Sequence, residues 1–303
     1  MSKRWRVGVD TGGTFTDLVA QRGGETLIAK VPSTPPDFQE GVIAAVVEAG
    51  IPFEEIDVLC HGTTVATNAL ITRTGAPTAL LTTAGFRDVL ELRRHNREEL
   101  YDIAWEMPDP LVERPQRHEV RERLDDRAGV VEPLRMEDVD AAVERAQRAG
   151  IRSFAIAFLH SYANPAHEFA ARDRVRELVP GAFVYASAEL LREPGEFERT
   201  STVVVNAYVG PLVASYLSAL EAQLAERGFA GRLFVTHSGG GLLTSATAIR
   251  MPARLVTSGP AAGAMAAARS PGSTPAGWRT SALRARARAR ARRRTATAAN
   301  CRR

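Results

Sequence analysis

Near the N-terminus, Gly8-Val9-Asp10-Thr11-Gly12-Gly13-Thr14-Phe15-Thr16-Asp17 brings together side chains suited to phosphate chemistry. Adjacent glycines let backbone N–H groups reach an anion unobstructed, and the hydroxyls of Thr11, Thr14 and Thr16 add donors for phosphate oxygens. Asp10 is placed to hold Mg²⁺, directly or through water, since this hard cation takes carboxylate oxygen, retained water and substrate phosphate. The segment reads as an ATP-phosphate hairpin, with Asp10, Thr11, Gly12, Gly13, Thr14, Thr16 and Asp17 as cofactor contacts and Asp10 as the metal ligand. It is neither Gly-x-x-x-x-Gly-Lys-Ser/Thr nor a helix-opening Gly-x-Gly-x-x-Gly, so the P-loop and dinucleotide readings fail. A plain glycine hairpin would explain Gly12-Gly13 but not the paired aspartates and three threonines.

Other candidates carry two readings each. Thr63 and Thr64, in His61-Gly62-Thr63-Thr64, either contact phosphate at a helix start or cap that helix, with His61 packed at a strand end. Cys60 lacks a basic neighbourhood and reads as an inert thiol. His160, His167 and Glu168 do not match a metal-ligand spacing, so loop hydrogen bonding is the better account. His237-Ser238-Gly239-Gly240-Gly241 is a nucleotide contact or a flexible turn, and Arg93, Arg94 and Arg97 beside His95 hold an anionic carboxylate or are simply solvated. No catalytic base stands out.

The elements that must position these residues alternate between strand and helix. Three short strands, Trp5 to Asp10, Phe15 to Gln21 and Thr26 to Val31, form a meander turned at glycines. A helix from Ser33-Thr34 to Gly50, a strand from Ile56 to Cys60, a helix through Val65, Ala69 and Leu70, and a strand from Thr78 to Leu81 follow. Residues 86–135 are charged and broken by prolines, which predicts an irregular insert. A helix then ends at Gly150, and Ser153 to Leu159 is apolar throughout, as an interior strand is. Strands at Phe183 to Ala188, Leu233 to Thr236 and Leu255 to Ser258 are expected, with a helix over 199–227 broken at Gly210-Pro211.

With 303 residues, 45% of them hydrophobic, the chain has ample material for one large or two packed domains. The +4 formal charge is misleading: residues 270–303 carry ten arginines and no acid, leaving 29 basic against 35 acidic residues, a net of −6, in residues 1–269. Nucleic acid is therefore not an expected partner of the body, and the tail has no aromatics interleaved with its arginines. Its Arg-Ala alternation reads as a frameshift or truncation rather than a designed basic arm. Thr200 to Leu220 has no charge, but its apolar residues recur at helical spacing, favouring a buried helix and no membrane partner. Two cysteines and no signal-like start make a reducing, cytoplasmic setting the expectation.

The hairpin resembles the first phosphate loop of the hydantoinase A/5-oxoprolinase family, within the actin-like ATPase superfamily. His61 to Leu70, Thr82 to Leu90, Leu159 to Glu168, Asn206 to Val209 and Ser258 to Gly263 resemble further segments of that family in its order. The resemblance covers residues 4 to about 268 and implies an α/β fold with an actin-like, RNase H-like lobe beginning as a meander, followed by an incomplete second portion. It implies an N-terminal domain over 4–188, the start of a hydantoinase A/oxoprolinase domain over 189–269, and a basic tail over 270–303. The implied activity is ATP- and Mg²⁺-dependent ring opening of a small cyclic amide such as 5-oxoproline or a hydantoin, with a B-type subunit as partner. A ketone carboxylase subunit, acting on acetone or acetophenone, is the first rival, and an inactive or partner-binding fragment the second. Family members carry a second Asp-x-Gly-Gly-Thr-x-Thr-Asp loop after Ser-Gly-Pro-Ala-Ala-Gly; this chain has none, so catalysis by it alone is in doubt.

Overall fold

The structure, a computed structural model, describes residues 4–96, 99 and 101–262. β1 (Trp5–Thr11), β2 (Phe15–Arg22) and β3 (Glu25–Pro32) form the expected antiparallel meander. α1 (Phe38–Glu48), β4 (Ile56–Thr63) and α2 (Val65–Thr72) follow. β4 extends through Thr63, so His61, Gly62 and Thr63 are strand rather than loop, paired with Val9, Asp10 and Thr11 of β1. Along β1 the pattern alternates strictly. Trp5, Val7 and Val9 pack against Val42, Ile43 and Val46 of α1, whereas Arg6, Gly8 and Asp10 occupy the opposite, open face.

β5 (Thr78–Thr83) begins a second sheet. The stretch expected to be irregular contains α3 (Val89–Leu92), β6 (Arg117–Val120) and a small hairpin of β7 (Arg123–Leu124) and β8 (Val130–Glu132). β6 pairs in parallel with β5, so part of that insert is integral to the sheet. α4 (Met136–Arg148), β9 (Ser153–Ala157), α5 (Ala166–Leu178), β10 (Phe183–Ala186) and the short α6 (Ser187–Leu190) complete the unit, whose strand order is β10-β9-β5-β6, all parallel. Every residue of β5 and β9 is buried. The reason is coverage on both sides: α4 and α5 pack on one face, and α7 (Glu196–Glu226) packs on the other.

α7 is the spine of the molecule. Val203, Val204 and Ala207 lie against β5, β9 and β10, whereas Leu220 and Leu224 join the core under β1. It is long and apolar enough to cross a membrane by composition, but 61% of its most apolar window is buried inside the protein. The break expected at Gly210-Pro211 does not occur, and the helix runs through Pro211. Proline has no N–H for the carbonyl four residues earlier, that of Ala207. The Ser153 hydroxyl on β9 donates to that carbonyl at 2.7 Å and replaces the missing bond.

After α7 the chain returns to the first sheet with β11 (Arg232–Thr236) and β12 (Leu242–Thr244), followed by α8 (Ser245–Arg250). The order is β12-β11-β4-β1-β2-β3, with β1, β4 and β11 parallel. β11 and β12 thus share a sheet with the N-terminal strands, so the described part of the second segment, 189–262, completes a sheet begun in 4–188. The strand expected at Leu255 to Ser258 is instead a 3₁₀ turn, Pro252–Leu255, followed by the helical start at Ser258. The basic tail at 270–303 lies outside the described residues.

Candidate nucleotide site

Within the first sheet β1 is followed by β2 and β3 on one side, and β4, after the whole second-sheet unit, by β11 on the other. A ligand crevice is expected beyond the carboxyl ends of strands at such a reversal. The hairpin is located there. Its tip is tightened by the Gly12 amide, which donates to Phe15 O at 3.0 Å. Ser33, just after β3, braces it twice: its amide donates to Thr14 O at 2.9 Å and its hydroxyl to Gly12 O at 2.8 Å. Among the described residues, neither the Gly13 nor the Thr14 amide has a backbone acceptor. A side chain built on Gly13 would meet nothing within 4 Å, so the tip is unobstructed at that residue.

Asp10 is the centre of the arrangement. Its carboxylate lies over Gly62 of the neighbouring strand, where any Cβ would overlap it, and Oδ1 is 3.8 Å from where a Gly259 Cβ would be. Gly62, distant in sequence, therefore makes the space it occupies, and Gly259 borders it. Burial of the carboxyl raises its pKa, and the negative charge of Asp17, its cross-strand partner, raises it further. Asp17 is compensated by Lys30 Nζ at 2.7 Å, whereas Asp10 has no ion pair among the described residues. A partly desolvated carboxylate without a counter-charge, beside free amide donors, fits a divalent cation that carries phosphate oxygens.

The other predicted residues divide by function. Thr14 is exposed at the tip. Thr11 is fully buried, and its hydroxyl has no hydrogen-bond partner. Thr16 faces the α1 side, away from Asp10: its hydroxyl is 3.1 Å from Ser33 Oγ and lies beneath Gly41, so it fixes the hairpin rather than facing the crevice. Thr63 is buried and its hydroxyl accepts from the Val65 amide at 3.2 Å, just before α2. Thr64 is half-buried; its hydroxyl donates to Thr11 O at 3.3 Å and accepts from Asn68 Nδ2 at 3.2 Å, tying β1 to α2. His61 is packed in the core with Nε2 2.6 Å from Tyr216 Oη of α7, and burial pushes its pKa down to about 4. It is a neutral structural residue at pH 7.

Three residues not singled out earlier complete the rim. Ser33, Thr236 and Ser258 each bond backbone at this end of the sheet, the latter two through His61 O at 3.4 Å and Thr63 O at 3.1 Å. Only the sheet order brings them here, and no local spacing signals it. In the His237 to Gly241 turn, His237 Nδ1 accepts from the Gly239 amide at 3.0 Å, so the ring is spent on its own loop. His167 bonds Glu122 at 2.8 Å, and Glu168 is buried among the amides of Phe158 and Ala188, so the two adjacent side chains serve separate contacts.

The profile of the hydantoinase/oxoprolinase N-terminal region matches residues 6–179. The chain belongs to the hydantoinase/oxoprolinase family. A second profile of the same family, hydantoinase/oxoprolinase, matches residues 199–276. The acetophenone carboxylase gamma subunit of Aromatoleum aromaticum is 36% identical, over 86% of this chain and 38% of that protein. The caprolactamase subunit alpha of Pseudomonas jessenii is 35% identical, over 86% of this chain and 39% of its own length. The crystal structure of the ATP-dependent caprolactamase from that organism superposes with a TM-score of 0.78 at 33% identity, covering 84% of this chain and 39% of the other. This family member thus has the α/β, actin-like fold of its relatives and spans about two fifths of the length of the curated proteins above.

Proposed function

We propose that this hydantoinase/oxoprolinase family member forms one jaw of a Mg-ATP site and serves in the ATP-dependent opening of a small cyclic amide. The observation that carries the reading is the uncompensated Asp10 on the open face of β1, its carboxyl pKa raised, in the same hairpin as the Gly13 and Thr14 amides that have no backbone acceptor among the described residues. An amide is a poor electrophile with a poor leaving group; bound Mg-ATP would supply the phosphoryl group for its carbonyl oxygen, leaving the carbonyl carbon open to attack by water. In that reaction Asp10 holds the cation, and the hairpin amides orient phosphate as charge spreads during transfer. Thr14 offers its hydroxyl at the same turn, and Thr11, Thr16, Thr63 and Thr64 keep its shape. The gene product works with a B-type subunit, a proposal supported by relatives whose names designate them subunits. A reducing, cytoplasmic setting suits Cys60, a free thiol whose pKa burial raises.

The likeness to the acetophenone carboxylase subunit favours a second reading, in which the same activation serves a ketone and bicarbonate. Phosphate release separates the two, measured with the chain and its partner subunits against 5-oxoproline, hydantoin and caprolactam on one side and acetone or acetophenone with bicarbonate on the other. The amide reading predicts release at least ten times faster with one of the cyclic amides than with any ketone. Faster release with a ketone, dependent on bicarbonate, overturns it.

A further inference from the structure

A separate cavity of 440 Å³ opens beyond the carboxyl ends of β5 and β9, in the second sheet. It shares no residue with the phosphate hairpin. Its volume lies in the range of small-ligand sites, and its position repeats, in the parallel sheet, the placement at which α/β folds bind ligands. Phe86, Val89, Leu92, Leu159 and Phe197 give it an apolar wall. Three arginines also line it, Arg93, Arg94 and Arg123, and their bonding differs. Arg94 is committed to Glu198 through two bonds of 2.8 Å. Arg93 donates to backbone carbonyls, Leu90 O at 3.5 Å and Pro108 O. Arg123 stacks on Phe86, 5.0 Å from the ring centroid, and forms no ion pair among the described residues.

Stacking occupies the face of a guanidinium and leaves its in-plane N–H groups free, which is the edge that grips a carboxylate in bidentate fashion. The lining also contains Asp88, Glu196 and Glu198. Asp88 is bound by Arg114 at 2.9 Å and Glu198 by Arg94, yet all three carboxylates weigh against a doubly charged phosphate. A singly charged anion with a compact apolar body satisfies both the free guanidinium edge and the apolar wall. Backbone geometry is consistent with a built pocket: Arg93, His95 and His160, all lining it, have positive φ of 51°, 54° and 55°.

We propose that this cavity is a second ligand site that binds a small organic monocarboxylate with a ring-sized apolar body, held by Arg123 over Phe86. The proposal stands apart from the Mg-ATP reading, because it concerns other residues in the other sheet. Calorimetric titration of the 303-residue chain with benzoate, its uncharged analogue benzamide, and inorganic phosphate tests it. Benzoate is expected to bind at least tenfold more tightly than either comparison probe. Arg123→Gln should weaken benzoate at least tenfold with benzamide unchanged, and Arg123→Lys, which keeps the charge but loses the planar fork, should recover part of the loss. Mg-ATP titration of the same variants checks their folding and should match the unsubstituted chain. Equal binding of benzoate and benzamide, tighter binding of phosphate, or an Arg123→Gln variant that keeps its benzoate affinity overturns the proposal, whatever the Mg-ATP result.

Discussion

Asp10 and Asp17 face each other across β1 and β2, yet only Asp17 has a counter-charge, from Lys30. That asymmetry is invisible in the sequence, where the two aspartates bracket the hairpin symmetrically and both read as nucleotide contacts. The threonines show the same limit. Alternation along a strand sends Thr11 and Thr16 to the covered face of the sheet and Asp10 to the open one, so of the predicted hydroxyls only Thr14 stands at the open tip. At His61 the structure makes a quantitative claim. Its pKa is about 4 in the fold against about 6.5 unfolded, so between those values the unfolded chain binds a proton that the native one excludes. Stability is therefore lost as pH falls through that window, and His118, also pushed down to about 4 by burial, acts with the same sign. Asp10 and Glu168, raised by burial, oppose the trend, so the wild-type curve is a sum. Replacing His61 with Gln isolates its share: the slope of unfolding free energy between pH 4.5 and 6 should fall by up to about 1.4 kcal/mol per pH unit, as read by urea denaturation. An unchanged slope would mean that His61 is protonated in the fold.

At the scale of elements, patterns carried within one segment were legible. The continuous apolar run at β9 announced a strand covered on both faces, and the helix expected to end at Gly150 is α4. Features that depend on a distant partner were not. Pro211 reads as a helix break, because the hydroxyl that satisfies Ala207 O is supplied by Ser153 on another element. The charged insert hid β6, whose pairing with β5 rests on register rather than on composition. The compensation at Pro211 can be tested: Ser153→Ala should lower stability by about 1–3 kcal/mol, the cost of leaving a buried carbonyl unpaired. Urea midpoints at constant m-value measure it. A shift below about 0.5 kcal/mol would show that the carbonyl finds another donor and that Ser153 does not support the helix.

Across the whole molecule, two sheets are joined by one long helix whose first half covers the parallel sheet and whose last turns lie under the meander. The hairpin motif was readable because all its residues are contiguous; Gly62, the glycine that seats Asp10, comes from β4, and only the strand order brings the two together. The same order places the site at the β1–β4 reversal and leaves the organic-acid cavity in the other sheet. The central claim is that this lobe alone presents a cation-dependent phosphate site. Calorimetric titration of the chain with ATP, with and without Mg²⁺, and of Asp10→Ala under the same conditions, tests it most directly. Mg²⁺-dependent binding that weakens at least tenfold in Asp10→Ala, about 1.4 kcal/mol, is the predicted result. ATP affinity that is the same with and without Mg²⁺, or unchanged by Asp10→Ala, would contradict it.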